Sequence, residues 1–397
     1  MVRVQAPEPI FTLELAQENL VLYSSASMLA TFLSLSIALL AVQTPTNGKI
    51  SQADIPAQRR TAQYSSQDIS QLQAQADQGD PTAELRLARA YDDGNGVPKN
   101  EQNAVKWYRK AAEQGNSDAQ NSLGEMYLNG EGVEQNKHQA VLWYDESARQ
   151  GNANAMYNLG TAYYNGDGVG IDDSLSYAWF TLARESGNQK AADAVQRADS
   201  QLQVWAITAG FKKIAEMYEI GEHLPKSQAE AAHWWLKAAT RGDSDARIEI
   251  ANKLLAGEGV AQDFTQARYW CNEATKAGGA RGEWCIGYLY EHGLGITRDP
   301  KEARKWYERT AALRNHQALN ALAQMDATGE GGKIDRISAC LLYLKLAALG
   351  DSDALRSLAK LKKQMDAKAW KNFENQLTYM YIDAKKLNTA LQQVDSQ

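Results

Sequence analysis

The side chains with most to offer a reaction are five histidines, His138, His223, His233, His292 and His316, and three cysteines, Cys271, Cys285 and Cys340. Imidazole and thiolate serve as general base, nucleophile or zinc ligand, and each of those tasks carries its own spacing. No HExxH, no CxxC pair and no nucleophile signature is present, so no enzyme hypothesis has residues behind it, and neither cofactor nor metal is expected. The G-x-G turns, such as Gly94-Asn95-Gly96 and Gly130-Glu131-Gly132, lack the preceding strand and the GxGxxG or GxxxxGK[ST] spacing of a phosphate cradle.

Those glycines belong instead to a repeating frame. Trp107, Trp143, Trp179, Trp234, Trp270 and Trp306 lie 36 residues apart, with one gap of 55. A period of that size marks stacked helical units, with function on an extended surface. Units open at Gly79, Gly115, Gly151, Gly242 and Gly278, with Ala206 and Arg314 in equivalent places. An apolar residue, a small one and usually a tyrosine follow, as in Leu123, Gly124 and Tyr127, at the spacing of one face of a helix A. The G-x-G turn ends that helix, because glycine takes positive φ without a Cβ clash.

Helix B then starts at Asn100, Asn136, Asp172, Ser227, Asp263, Asp299 and Asp335, all side chains suited to cap a helix. Gln139, Glu230, Gln266 and Glu302 are expected to complete capping boxes in four units. Small residues and the tryptophan follow, the indole read as core filling between units rather than as a ligand platform.

The whole frame closely resembles the Sel-one-like repeat (SLR) family of the tetratricopeptide superfamily, with seven units over roughly residues 79 to 349. The resemblance implies an all-α, right-handed α-solenoid of antiparallel helix pairs with helix A on the concave face. It further implies a non-enzymatic adaptor for a protein or peptide, often in bacterial envelope or signalling assemblies. A peptidoglycan- or polysaccharide-associated accessory protein regulating an envelope enzyme is the alternative it suggests. His223 in place of the second turn glycine and Leu342 in place of tryptophan depart from the pattern. Placing the tetratricopeptide pattern on helix A brings Asp118, Asn154, Glu125, Glu291 and His292 inward, and selects Asn121, Tyr157, Tyr164, Trp284 and Tyr288 as the expected partner-binding residues.

Residues 187 to 205 begin as a helix A but reach no glycine turn, so a long helix or a helical joint is expected to divide an N-terminal block (66–205) from a C-terminal one (206–349). Lys and Arg against Asp and Glu number 11 and 20 over residues 66–205, net −9, and 27 and 24 over 206–397, net +3. The acidic first block argues against a nucleic-acid partner. Residues 350–397, Lys-rich and amphipathic, are expected to form capping helices.

Residues 1–43 form a signal or membrane-anchor segment, and 44–65 a flexible linker rich in Gln and Ser. No charge occurs between Glu18 and Lys49, and Leu20–Val42 is apolar over a length that crosses a bilayer, giving membrane contact through residues 20–42 if uncleaved. The flank of Arg3, Glu8, Glu14 and Glu18 is unlike most signals, and a start at Met28 would give a core of signal length. Repeats on the exported side of a membrane are the expectation, or in the cytoplasm if that segment does not function. Cys271 and Cys285 fall on consecutive antiparallel helices and are expected to be buried free thiols, a disulfide between them being the alternative that export would permit. Some exported SLR relatives carry cysteine pairs between adjacent helices, at positions other than these.

Overall fold

The computed structural model describes residues 64–380 and 382–395, and these hold nineteen α-helices and no strand. Helix α1 (Ser66–Asp77) precedes the repeats. Three pairs follow: α2 (Pro81–Asp93) with α3 (Glu101–Glu113), α4 (Ser117–Asn129) with α5 (Lys137–Arg149), and α6 (Ala153–Asn165) with α7 (Asp173–Glu185). After α8 (Gln189–Gln201) come four more: α9 (Val204–Ile220) with α10 (Gln228–Thr240), α11 (Ser244–Ala256) with α12 (Phe264–Lys276), α13 (Ala280–His292) with α14 (Pro300–Ala312), and α15 (His316–Thr328) with α16 (Arg336–Ala348). The chain ends in α17 (Ala354–Lys362), α18 (Ala367–Tyr379) and α19 (Ala384–Asp395). The apolar stretch Leu20–Val42 and the linker up to residue 63 lie outside the described residues. Among the described residues no helix is long and apolar enough to cross a membrane.

Most packing runs between helices adjacent in the chain, as a solenoid of helix pairs requires. The expected core positions are filled: Trp107, Trp179, Trp234 and Trp270 are buried, while Trp143 and Trp306 are half-buried. The small position on helix A has a definite reason. A Cβ at Gly124 or at Gly287 would lie 2.6 Å from the ring of Tyr144 or Tyr307, the residue that follows the tryptophan on helix B. Helix A therefore approaches its partner by making room for that ring.

All seven expected helix B caps form, each side chain accepting from an amide in the first turn, as Asn136 Oδ1 does from Gln139 N at 3.0 Å. The four expected capping boxes do not. The amide of each capping residue instead donates to a carbonyl near the end of helix A, Asn136 to Tyr127 at 2.8 Å and Asp299 to Tyr290 at 2.9 Å. That bond closes the hairpin and leaves the box without a donor to satisfy. Helix A is capped as well, by Asp80, Asn116, Asn152, Asn188, Asp243 and Asn315, each one residue beyond its opening position.

The joint differs from the expectation of a unit opening at Ala206. Leu202 is extended (ψ 146°), which separates α8 from α9, and Ala206 lies inside α9 and is buried. Both α8 and α9 pack on α7. Only Ala191, Ala194 and Val195 of α8 are buried, so its remaining faces are too polar to carry the next unit, and α9 takes the apolar side of α7 instead. One buried cluster runs through the joint from Ala140 to Leu289, with Phe211 of α9 against Tyr177 of α7 and Trp234 of α10.

The two expected free thiols are bonded: Cys271 on α12 and Cys285 on α13 form a disulfide, with Cα atoms 5.7 Å apart. Cys271 occupies the place of Tyr108, Tyr144, Phe180 and Tyr307 in other units, so a small sulfur replaces a ring and leaves room to reach the next helix. Cys340 is free and buried, and burial pushes its thiol up to about 12.

His223 takes the turn-glycine position at φ 62° and bonds Asp145 of α5 across 78 residues, Nδ1 to Oδ1, at 2.5 Å. That bond raises the imidazole pKa above its ordinary 6.5, helped by Glu222 and opposed by burial and Arg149. Burial alone would raise the Asp145 carboxyl, yet His223 and Arg149 hold it below its ordinary range. A raised histidine stabilises fully below its unfolded value and loses that contribution as pH climbs through the folded one; the lowered Asp145 contributes above its unfolded value and loses it as pH falls. The clasp is therefore strongest in mild acid. Between about pH 6 and about pH 8 the wild-type melting temperature is expected to drop by about 1–3 °C relative to His223→Gly, whose glycine suits the backbone. Identical pH slopes in the two proteins would remove the clasp from the account.

Candidate functional site

The five expected partner-binding residues fall into two groups on helix A segments. Asn121 on α4 with Tyr157 and Tyr164 on α6 form one, and Trp284 with Tyr288 on α13 the other. Helices α7 to α12 separate them.

In the first group, Asn121 is buried and its amide nitrogen donates to Glu125 Oε1 at 3.0 Å. Asn158 of α6 donates to Asn121 Oδ1 at 3.0 Å and to the same Glu125 oxygen at 3.2 Å. Asn121 is thus held in register across the unit boundary. The surrounding helices desolvate Glu125 and push its carboxyl above the usual range, against the two amide bonds and Lys190, with Asp92 adding to the rise. One step along, Asp118 accepts from Arg89 of α2 and Asn152, both at 3.0 Å, and Asn188 donates to Asn154 at 2.9 Å. Polar side chains thus bridge successive helix A segments.

Tyr157 is half-buried and leans on Phe180 of α7, ring centroids 5.4 Å apart, so part of its surface belongs to the hairpin core. Tyr164 is 62% exposed. On α13, Trp284 and Tyr288 stack at 5.5 Å and Tyr288 lies 4.2 Å from His292, so three rings one helical turn apart form a row. Trp284 and Tyr288 are half-buried, and the row is anchored on the core through Trp284. Arg281 beside them binds Glu249 of α11 at 2.6 Å.

The positional pattern found Asn121 and Glu125 but missed Asn158, which lies outside the inward positions and makes both inter-helix bonds. Its spacing of 37 residues from Asn121, one more than the period, was the available signal. Among the described residues no group of three or more His, Cys, Asp and Glu side chains could hold a metal ion.

A chain of stacked helix pairs whose repeat tryptophans are buried or half-buried between units is a helical-repeat solenoid. The Sel1 repeat family matches residues 81–116, 117–152, 153–188, 213–243, 244–279, 284–315 and 316–351. The chain belongs to the Sel1 repeat family, whose members generally mediate protein–protein interaction on a typically non-catalytic fold. Among solved structures it is similar to a protective antigen of uropathogenic Escherichia coli strains displaying an SLR fold, 31% identical over 81% of this chain and 73% of that one, TM-score 0.40. It is also similar to a Sel1 repeat protein from Oxalobacter formigenes, 26% identical over 74% of this chain and 80% of that one, TM-score 0.36. No curated protein matches the chain.

Proposed function

We propose that this protein is an interaction scaffold of the bacterial envelope or signalling type that captures a protein or peptide on the helix A surface, with Asn121, Tyr157, Tyr164, Trp284 and Tyr288 as contacts. The observation that carries the reading is the ring row of Trp284, Tyr288 and His292, anchored on the core through Trp284 and running out to the exposed His292. Rigid aromatics give contact area at low entropy cost. The amide groups of Asn121 and Asn158, already fixed by their mutual bond, suit recognition of an extended backbone.

The repeats act in an oxidising compartment outside the cytoplasm, a placement supported by the Cys271–Cys285 disulfide and by the apolar N-terminal stretch. Leu20–Val42 is the segment that would bring them there.

Crosslinking in cells followed by mass spectrometry identifies the captured protein. Its affinity for a Tyr164→Ala, Tyr288→Ala double variant is then expected to fall at least ~10-fold, with a melting temperature within about 2 °C of wild type. Unchanged affinity would end this reading, and a parallel loss of stability would mark the rings as core.

A further inference from the structure

Apart from Cys271, which reaches the next unit, the residue after each repeat tryptophan points back across its own hairpin. Where it has a hydrogen to give, helix A supplies a carboxylate two residues ahead of the turn glycine. Tyr108 bonds Asp92 at 3.3 Å, Trp235 Nε1 bonds Glu219 at 3.0 Å and Tyr307 bonds Glu291 at 2.6 Å. Phe180 has nothing to donate, and its counterpart is Tyr164 rather than an acid.

The α4–α5 hairpin breaks this pairing. Tyr144 keeps its hydroxyl, yet the matching residue is Leu128. Tyr144 is 1% exposed and its hydroxyl meets no protein partner. Buried hydroxyls are rarely left so, because nothing replaces their lost hydration. Beside it lies a chamber of about 30 Å³, walled by Tyr144, Leu128, Asn158, Thr161 and Asp167 with small aliphatic side chains between them. A cavity needs about 10–15 Å³ of such space to hold a water, so this one has room for it.

The walls also offer acceptors. Asn158 engages its amide nitrogen with Asn121 and Glu125, which leaves its side-chain oxygen to accept. Asp167 takes Lys137 Nζ at 2.7 Å on one oxygen and Asn165 at 3.2 Å on the other, and each carboxylate oxygen can accept again.

We propose that this chamber is a binding site for a single ordered water, which accepts the Tyr144 hydrogen and donates to Asn158 and Asp167. The water stands where three other hairpins have a carboxylate. Through Asn158 it reaches the amide that orients Asn121 and Glu125, and so it supports the helix A surface from behind.

A crystal structure of the full chain at about 1.5 Å is expected to show one density peak within about 3 Å of the Tyr144 oxygen. Leu128→Glu should supply the acid found in those three units, take the hydroxyl directly and expel the peak. Tyr144→Phe fills the same space without the hydroxyl, and its melting temperature is expected to fall by about 1–3 °C, since a satisfied hydrogen bond is lost. A chamber without density overturns the proposal. So does a Tyr144→Phe protein as stable as wild type or more so, because removing an unsatisfied hydroxyl relieves a penalty.

Discussion

Trp234→Ala is expected to destabilise the protein by about 3–5 kcal/mol, measured by urea unfolding followed by circular dichroism. Trp234 on α10 is 1% exposed, lies 5.6 Å from the Phe211 ring and carries the Lys237 ammonium 3.7 Å above it. A buried indole removes roughly 150–250 Å² from water, which at about 25 cal/mol per Å² gives roughly 4–6 kcal/mol before entropy is subtracted. Collapse around an alanine recovers only part of that. Each helix here is braced mainly by its chain neighbours, so few contacts can close over the void. Trp234 also stands in the cluster that crosses the joint, and its loss should loosen the N-terminal units from the C-terminal ones. Trp143→Ala is the internal comparison, because Trp143 is only half-buried and should cost less. A loss below about 1 kcal/mol at Trp234 would mean that the joint is held elsewhere.

Gly259→Ala is expected to cost about 2–5 kcal/mol, most of it from collision with the preceding unit. Gly259 has φ +72°, and a Cβ there would lie 2.0 Å from the carbonyl oxygen of Gln228, the first residue of α10. The turn of one unit is thus seated on the start of helix B in the unit before. Gly151 provides the control: its φ is +85°, but no atom lies within 4 Å of an added Cβ. Gly151→Ala should therefore show backbone strain alone, about 1 kcal/mol, and the difference between the two variants in the same unfolding assay isolates the seat. Equal losses would deny it.

The units were legible from residues because caps, turn glycines and buried tryptophans each answer to chemistry within a few positions. The joint was not, since Ala206 matches the apolar pattern of a unit opening and only the extended backbone at Leu202 reveals where α9 begins. The capping boxes were misassigned for a related reason. The amide of Asn136 is taken by Tyr127, nine residues upstream on the other arm of the hairpin, which no local motif records. Cys271 gave its clue only by comparison, as a small residue in a column of rings. The candidate surface was legible as positions but not as bonds: Asn121 was expected, whereas Asn158 and the shared Glu125 oxygen needed the geometry of two units together.

The Cys271–Cys285 bond changes how the array would yield to a pull along its length. Stacked hairpins held by their neighbours peel away in succession, each adding its share of extended thread. Here one covalent link spans 14 positions, so roughly 45–50 Å of thread stays locked when α12 and α13 come apart. That pair of hairpins would leave the stack as a fused block, a firm segment in an array that otherwise yields one hairpin at a time.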